Sequence, residues 1–280
     1  ASRNALKIYD ISTPTIFQAL GEVSLYNPQD VYADGNYVYV ADNLDGLKKI
    51  DVSDPASPWV AVTLKLTNGV TGILKRGIHA YVIEDRTSFK VIDAAPPSSM
   101  AEVWSYAGDF SGHLACSGNY IYVGTRFDGI SIFDISAPAS PVFERKLQPN
   151  TICSGLFIDG NRAYVGTGSI LNIYDVSTPE NPTLQGGTTI KGLNEIFAGD
   201  NYVYANGTNG LYALDVSTPS APKLTGQYRS GPGAIANNGY LYLGGNALSI
   251  ISVSQSESLP SLIVSPGSLA FYSIVNDGTI

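Results

Sequence analysis

Carboxylates are the side chains of this sequence best suited to chemistry, and six of them recur at near-constant intervals. Asp10, Asp51, Asp93, Asp134, Asp175 and Asp215 each close a short apolar run. Repeated carboxylates suggest metal binding or acid–base work. Residues repeated around a ring, however, stay far apart unless they line its axis. An aspartate leading into Ser-x-Pro also accepts backbone N–H groups and fixes a turn. The six are therefore assigned a structural role. One stretch, Asp42-Asn43-Leu44-Asp45-Gly46, is richer in oxygen atoms. Asp42, Asn43 and Asp45 are candidate calcium ligands, although the stretch lacks the twelve-residue spacing and closing Glu of an EF-hand.

The polar residues outside the repeat are the better binding candidates, because a repetitive scaffold concentrates function where its copies differ. His79, Glu84, Asp85 and Arg86 come from one copy, and His113, Arg126, Phe127 and Asp128 from the next. Equivalent loops of neighbouring copies open on one face, so these eight are expected to border a shared groove. Catalytic signals are weaker. The two histidines have no metal-ligand spacing, no Gly-x-Ser-x-Gly elbow occurs, and no nucleophile comes with an arguable base. Cys116 and Cys153 read as separate thiols. Asn206-Gly207-Thr208 is a lone glycosylation sequon in an expected loop.

The elements that must position these residues are short strands. An aromatic-rich strand recurs with Tyr second from its end, at Tyr39, Tyr81, Tyr122, Tyr164, Tyr204 and Tyr242, at spacings of 42, 41, 42, 40 and 38 residues. One such tyrosine per copy is a packing signature. Other tyrosines, including Tyr26 and Tyr106, fall near strand ends, where exposure is expected. Prolines after the aspartates (Pro55, Pro138, Pro179, Pro219) and Gly-containing turns complete the period. The first full copy parses into strands at about 29–33, 37–41, 47–52 and 59–65. Four strands in some forty residues define a β-propeller blade, and no stretch sustains a 3.6-residue period.

Composition agrees with an all-β fold. Of 280 residues, 44% are hydrophobic, only 14% are charged, and 18 are tyrosine. A net charge of −8 without a basic cluster disfavours nucleic acid and anionic membranes, and no apolar run is long enough to insert as a helix. Six full copies begin near residues 27, 69, 111, 152, 191 and 231. The chain opens in mid-copy, with a third strand at 5–12 and a fourth at 15–24. The expectation is one propeller domain over 1–280, with seven four-stranded blades. Residues 268–280 would close the ring by completing the opening half-blade, with Asn276-Asp277-Gly278 as a first strand's turn. The alternative is six blades, with 265–280 starting a truncated immunoglobulin-like module.

The segments LKIYDISTP, LKKIDVSDPASP, ISIFDISAPASP, LNIYDVSTPENP and LYALDVSTPSAP resemble the LVIVD-repeat family of bacterial and archaeal surface or exported propellers. The copies at 88–96 and 248–256 depart from its pattern. The resemblance implies a secreted or cell-surface setting and carries no shared activity. Together with the residues, it favours a non-enzymatic scaffold or binding module for an extracellular protein or polysaccharide. Two alternatives stand beside it. One is a glycan- or ester-cleaving hydrolase with a carboxylate-lined axial pocket. The other is a self-assembling structural surface protein.

Overall fold

The computed structural model describes residues 5–10, 18–95, 98–148, 150–199 and 201–228, with four further strands at 234–237, 240–243, 249–252 and 262–264. The expected closing segment 265–280, and with it the immunoglobulin-like alternative, lies outside these residues. The chain divides into two compact units. The first contains a two-stranded sheet, β1 (Ala5–Asp10) and β2 (Gln18–Ser24), and two four-stranded sheets. These are β3 (Pro28–Asp34), β4 (Tyr37–Asp42), β5 (Gly46–Asp51) and β6 (Trp59–Leu64), then β7 (Val70–Arg76), β8 (His79–Glu84), β9 (Ser88–Asp93) and β10 (Ala101–Ala107).

The second unit holds four such sheets. They are β11 (Phe110–Ser117), β12 (Tyr120–Thr125), β13 (Ile130–Asp134) and β14 (Val142–Leu147); β15 (Gly155–Asp159), β16 (Arg162–Thr167), β17 (Ile170–Asp175) and β18 (Thr183–Thr189); β19 (Glu195–Gly199), β20 (Tyr202–Gly207), β21 (Gly210–Asp215) and β22 (Lys223–Tyr228); and β23 (Ala234–Asn237), β24 (Tyr240–Leu243), β25 (Ser249–Ser252) and β26 (Leu262–Val264). Every sheet is an antiparallel meander, an all-β, propeller-like arrangement. Within a unit, first strands of successive sheets lie against each other: β3 against β7, β11 against β15, β15 against β19 and β19 against β23.

Alternation explains why both faces of a sheet are covered. In β4, Val38 and Val40 join the core shared with Leu6 and Leu25, while Tyr39 and Ala41 join the one shared with Ile73, Ala80 and Val82. A strand buried on both faces leaves little room for polar side chains. The tyrosine hydroxyl still needs a partner. Tyr122 donates to the Pro179 carbonyl of the next sheet at 2.5 Å, so the proline loop sits over its neighbour. Gly21 and Gly186 are the matching accommodations. A Cβ on Gly21 would meet Pro55 O at 2.4 Å, and one on Gly186 would meet Pro219 O at 2.2 Å.

The recurrent aspartates cap the turns into these loops. Asp51, Asp134, Asp175 and Asp215 accept the N–H of Ser53, Ser136, Ser177 and Ser217 at 2.6–2.9 Å, and Asp93 accepts that of Ala95. The serine hydroxyl and N–H hold Asp51, Asp175 and Asp215 below the usual carboxylate range. Each described fourth strand from β2 to β22 also carries one extra residue against its partner, at Leu20, Ala61, Val103, Glu144, Gln185 and Thr225. Such a β-bulge bends the strand and sharpens its twist.

Candidate interaction face

The loops joining second to third strands, and fourth to the following first strands, emerge at one end of each sheet. In the first unit they are fixed from below by a carboxylate at the end of the second strand. Asp42 is fully buried and accepts the N–H groups of Tyr26, Asn27 and Leu44 at 2.9, 2.9 and 3.1 Å. Two loops are thereby tied to one side chain, and Asn43 N–H also reaches the Asn27 carbonyl. The tips these bonds hold are apolar and open to solvent: Tyr26 is 67% exposed and Leu44 71%.

The next sheet repeats the device with Glu84, which accepts Asn68 N–H at 2.8 Å and the Ser88 hydroxyl at 3.0 Å. Lys90 lies 2.9 Å from Glu84 and 2.7 Å from Glu102. Burial alone would raise the Glu84 carboxyl, but Asn68, Lys90 and Ser88 outweigh it and hold the group low. Burial would likewise lower Lys90, and the two glutamates reverse this. Beyond Glu84, Asp85 and Arg86 are exposed and both take left-handed backbone, with φ of 41° and 63°. That pairing suits a tight hairpin turn usually filled by Asn-Gly. The loops of the two sheets touch, since a Cβ on Gly69 would lie 1.8 Å from Asn43 O.

In the second unit a hydroxyl replaces the carboxylate. Thr125 donates to Gly129 O at 3.0 Å and accepts Asp128 N–H at 2.9 Å. The tip it supports carries Phe127, 63% exposed, with the Arg126 guanidinium 5.5 Å from the ring centroid. Arg126 lies 3.5 Å from Asp109, and Lys146 lies 2.6 Å from Asp128. Exposed Ile152 follows in the next connection.

The expected site residues therefore separate into groups. Asp85 and Arg86 share one turn, and Arg126, Phe127 and Asp128 share another. Glu84 is not a loop residue but the buried last residue of β8. His79 opens β8 at the opposite end from Asp85, roughly 20 Å away along six residue steps. His113 lies within β11, where Ser111–His113 bulge opposite Gly124. Asp42, Asn43 and Asp45 make a poor cation shell. Three N–H donors surround Asp42, and the ammonium groups of Lys48 and Lys65 flank Asp45, with Lys48 foremost in holding its carboxyl low. Calcium needs converging oxygens, not donors. Among the described residues, no three His, Cys, Asp or Glu side chains gather where they could hold a metal.

One further expectation changes, and another holds, since Cys116 and Cys153 are separate thiols with no disulfide between them. Asn206 of the sequon is a buried residue of β20, not a loop residue. Cys153 is buried beside Ser111, and burial pushes its thiol up to about 12, too high for a thiolate nucleophile. Sequence reasoning missed Leu44 and Ile152 as exposed tips, and Lys48 and Lys90 as buried charges. Superposing the copies on their tyrosines exposes the device: the third residue after it is Asp42, Glu84, Thr125, Thr167 and Gly207 in turn.

Fold and site together define a repeat-built, propeller-like scaffold with fixed loops at one sheet end. The chain belongs to the LVIVD repeat family, whose model matches residues 27–64, 73–108, 110–147, 153–189 and 194–230. No curated protein is significantly similar to it. Among solved structures, BamB from Moraxella catarrhalis is similar over 99% of this chain and 85% of its own, with a TM-score of 0.69 and 16% identity. The Cps50 (Swd1) β-propeller domain of Myceliophteria thermophila matches 90% of this chain and 92% of its own, at a TM-score of 0.71 and 13% identity. The computationally designed Ika8 protein matches 98% and 86%, at 0.68 and 12%. At such identities the likeness concerns the fold alone. Among the described residues, no helix is long and apolar enough to cross a membrane.

Proposed function

We propose that this chain is a non-catalytic binding scaffold, secreted or displayed at a cell surface, that holds an extracellular protein or polysaccharide through the loops at the ends of its sheets. One observation carries the reading. Asp42, Glu84 and Thr125, each the buried last residue of its sheet's second strand, are occupied in fixing backbone, while the tips fixed by Asp42 and Thr125 present Tyr26, Leu44 and Phe127 to solvent. Fixed, exposed aromatic and aliphatic side chains lose little entropy on binding. Asp85, Arg86, Arg126 and Asp128 supply the polar rim of each unit's cluster.

The test compares the wild-type chain with Tyr26→Ala/Leu44→Ala and Phe127→Ala on a glycan array and against surface proteins of its source. Lost binding at an unchanged melting temperature supports the proposal. Turnover of a glycoside or ester panel would replace it with the hydrolase reading. We also propose that the ring has seven blades, closed by residues 268–280. Deleting 264–280 should then lower the melting temperature, and an unchanged one would sink this closure.

A further inference from the structure

The exit from the fourth strand can be compared in four sheets. Leu64, Tyr106, Leu147 and Thr188 occupy one register point, opposite Leu47, Phe89, Ile130 and Leu171. The residues that follow them are Lys65, Ala107, Gln148 and Thr189. Of these four, Gln148 alone takes left-handed backbone, with φ 56°, which a residue with a Cβ adopts at a cost. It carries a second cost as well. Its amide oxygen is buried and accepts no hydrogen bond among the described residues, although the side chain as a whole is half-buried. The three equivalent positions have neither feature, so the repeat does not require them. Strain and an unsatisfied acceptor at a position the fold does not need point to function.

Gln148 is seated against the hairpin that carries Phe127. A Cβ on Gly129 would lie 2.2 Å from Gln148 O. The Gln148 carbonyl accepts the Thr151 hydroxyl at 2.7 Å, and Gly129 N–H donates to Thr151 O at 2.7 Å. The backbone is pinned, but the amide oxygen is not, and a turn about the last side-chain bond brings it outward without breaking a bond to it. The same loops carry exposed Phe127 and Ile152. Their charges balance in pairs, Arg126 with Asp109 and Lys146 with Asp128. We propose that Gln148 is a ligand contact and that its ligand is a neutral polysaccharide. An unpartnered acceptor calls for a donor, which sugar hydroxyls supply. Paired charges give an anionic chain nothing to neutralise, whereas the apolar face of a neutral sugar fits against Phe127. A peptide brings its N–H donors in an added strand, and the extra residue at Glu144 disrupts the edge of β14 for that pairing. The inference rests on the binding-scaffold reading and names its ligand class.

The experiment applies the full wild-type chain and Gln148→Met to an array of neutral and anionic polysaccharides, with melting temperatures measured alongside. Met keeps the length of the side chain and removes the amide. Affinity for the bound neutral glycan should fall about tenfold, the worth of one hydrogen bond. The melting temperature should hold, or rise by about 2–4 °C as the buried acceptor is lost. A residue kept only for the fold would move the melting temperature down. Undiminished glycan binding by Gln148→Met overturns the contact, and so does a lower melting temperature. Wild-type binding to anionic glycans or surface proteins alone overturns the ligand class and leaves the scaffold reading standing. Binding to neither glycan nor protein refutes both.

Discussion

In the first unit the residue three after the recurrent tyrosine is Asp42 or Glu84, and the position three before the recurrent aspartate is Lys48 or Lys90. In the second unit the same two positions hold Thr125 with Ser131, then Thr167 with Asn172. The members change together. Glu84 meets Lys90 through an ion pair, and Thr167 meets Asn172 through a neutral bond from Nδ2 at 3.2 Å. Both solutions fill a slot inside a sheet covered on both faces. The charged one reaches farther, since a carboxylate can accept several N–H groups at once, and Asp42 ties two loops where Thr125 organises one. It also carries a larger desolvation cost, offset only while its partners stay in place. The two units therefore reach the same backbone with different vulnerabilities.

The largest expected break is Glu84→Ala, which leaves the Lys90 ammonium buried with Glu102 alone. It should cost about 3–5 kcal/mol by denaturant unfolding. Thr125→Val, the corresponding loss in the second unit, should cost about 1–2 kcal/mol. Equal costs would erase the distinction. Transplanting the neutral solution as Glu84→Thr/Lys90→Ser should recover most of the Glu84→Ala loss, because both charges leave together. Recovery of less than half would mean that the slot is shaped for the ion pair specifically.

Acid sharpens the same contrast. The folded chain holds Glu84 below the ordinary glutamate range, so its stabilisation is complete above the unfolded value and is lost as pH falls through the folded one. The Thr and Asn pairs do not titrate. Stability of the wild type should therefore fall more steeply below the ordinary glutamate range than that of Glu84→Thr/Lys90→Ser, measured by urea unfolding at successive pH values. Parallel curves would contradict the assignment. Asp42→Asn should speed amide exchange at Tyr26, Asn27 and Leu44 and leave Asp128 unchanged. The smallest effect is Tyr122→Phe, about 1 kcal/mol for the bond to Pro179, read as a modest fall in the denaturation midpoint.

Much of this fold is legible in the sequence because its period is set by local rules. Tyr39 and Asp51 mark strands that the structure bounds at Tyr37–Asp42 and Gly46–Asp51, within a residue or so of the expectation. Turn chemistry and alternation act over short distances, and a repeat averages out their noise. The candidate site is less legible. Residue type alone groups His79 with Asp85, yet a strand's length separates them. Asp42 reads as a cation ligand because sequence shows its oxygens and hides the N–H groups of Tyr26 and Asn27, sixteen and fifteen residues earlier. Exposure of Leu44 depends on where the loop tip points, which no spacing rule gives.

The extra residue carried by each described fourth strand from β2 to β22 has a consequence for crowding. An outermost strand offers its free amide and carbonyl groups to any strand that approaches in register. A bulge near the middle breaks that register and twists the strand away. Two copies brought side by side could match only a few residues on either side of Ala61 or Glu144 before their ladders fell out of step. The chain can thus be packed densely, in solution or on a surface, with little tendency to grow into shared sheets.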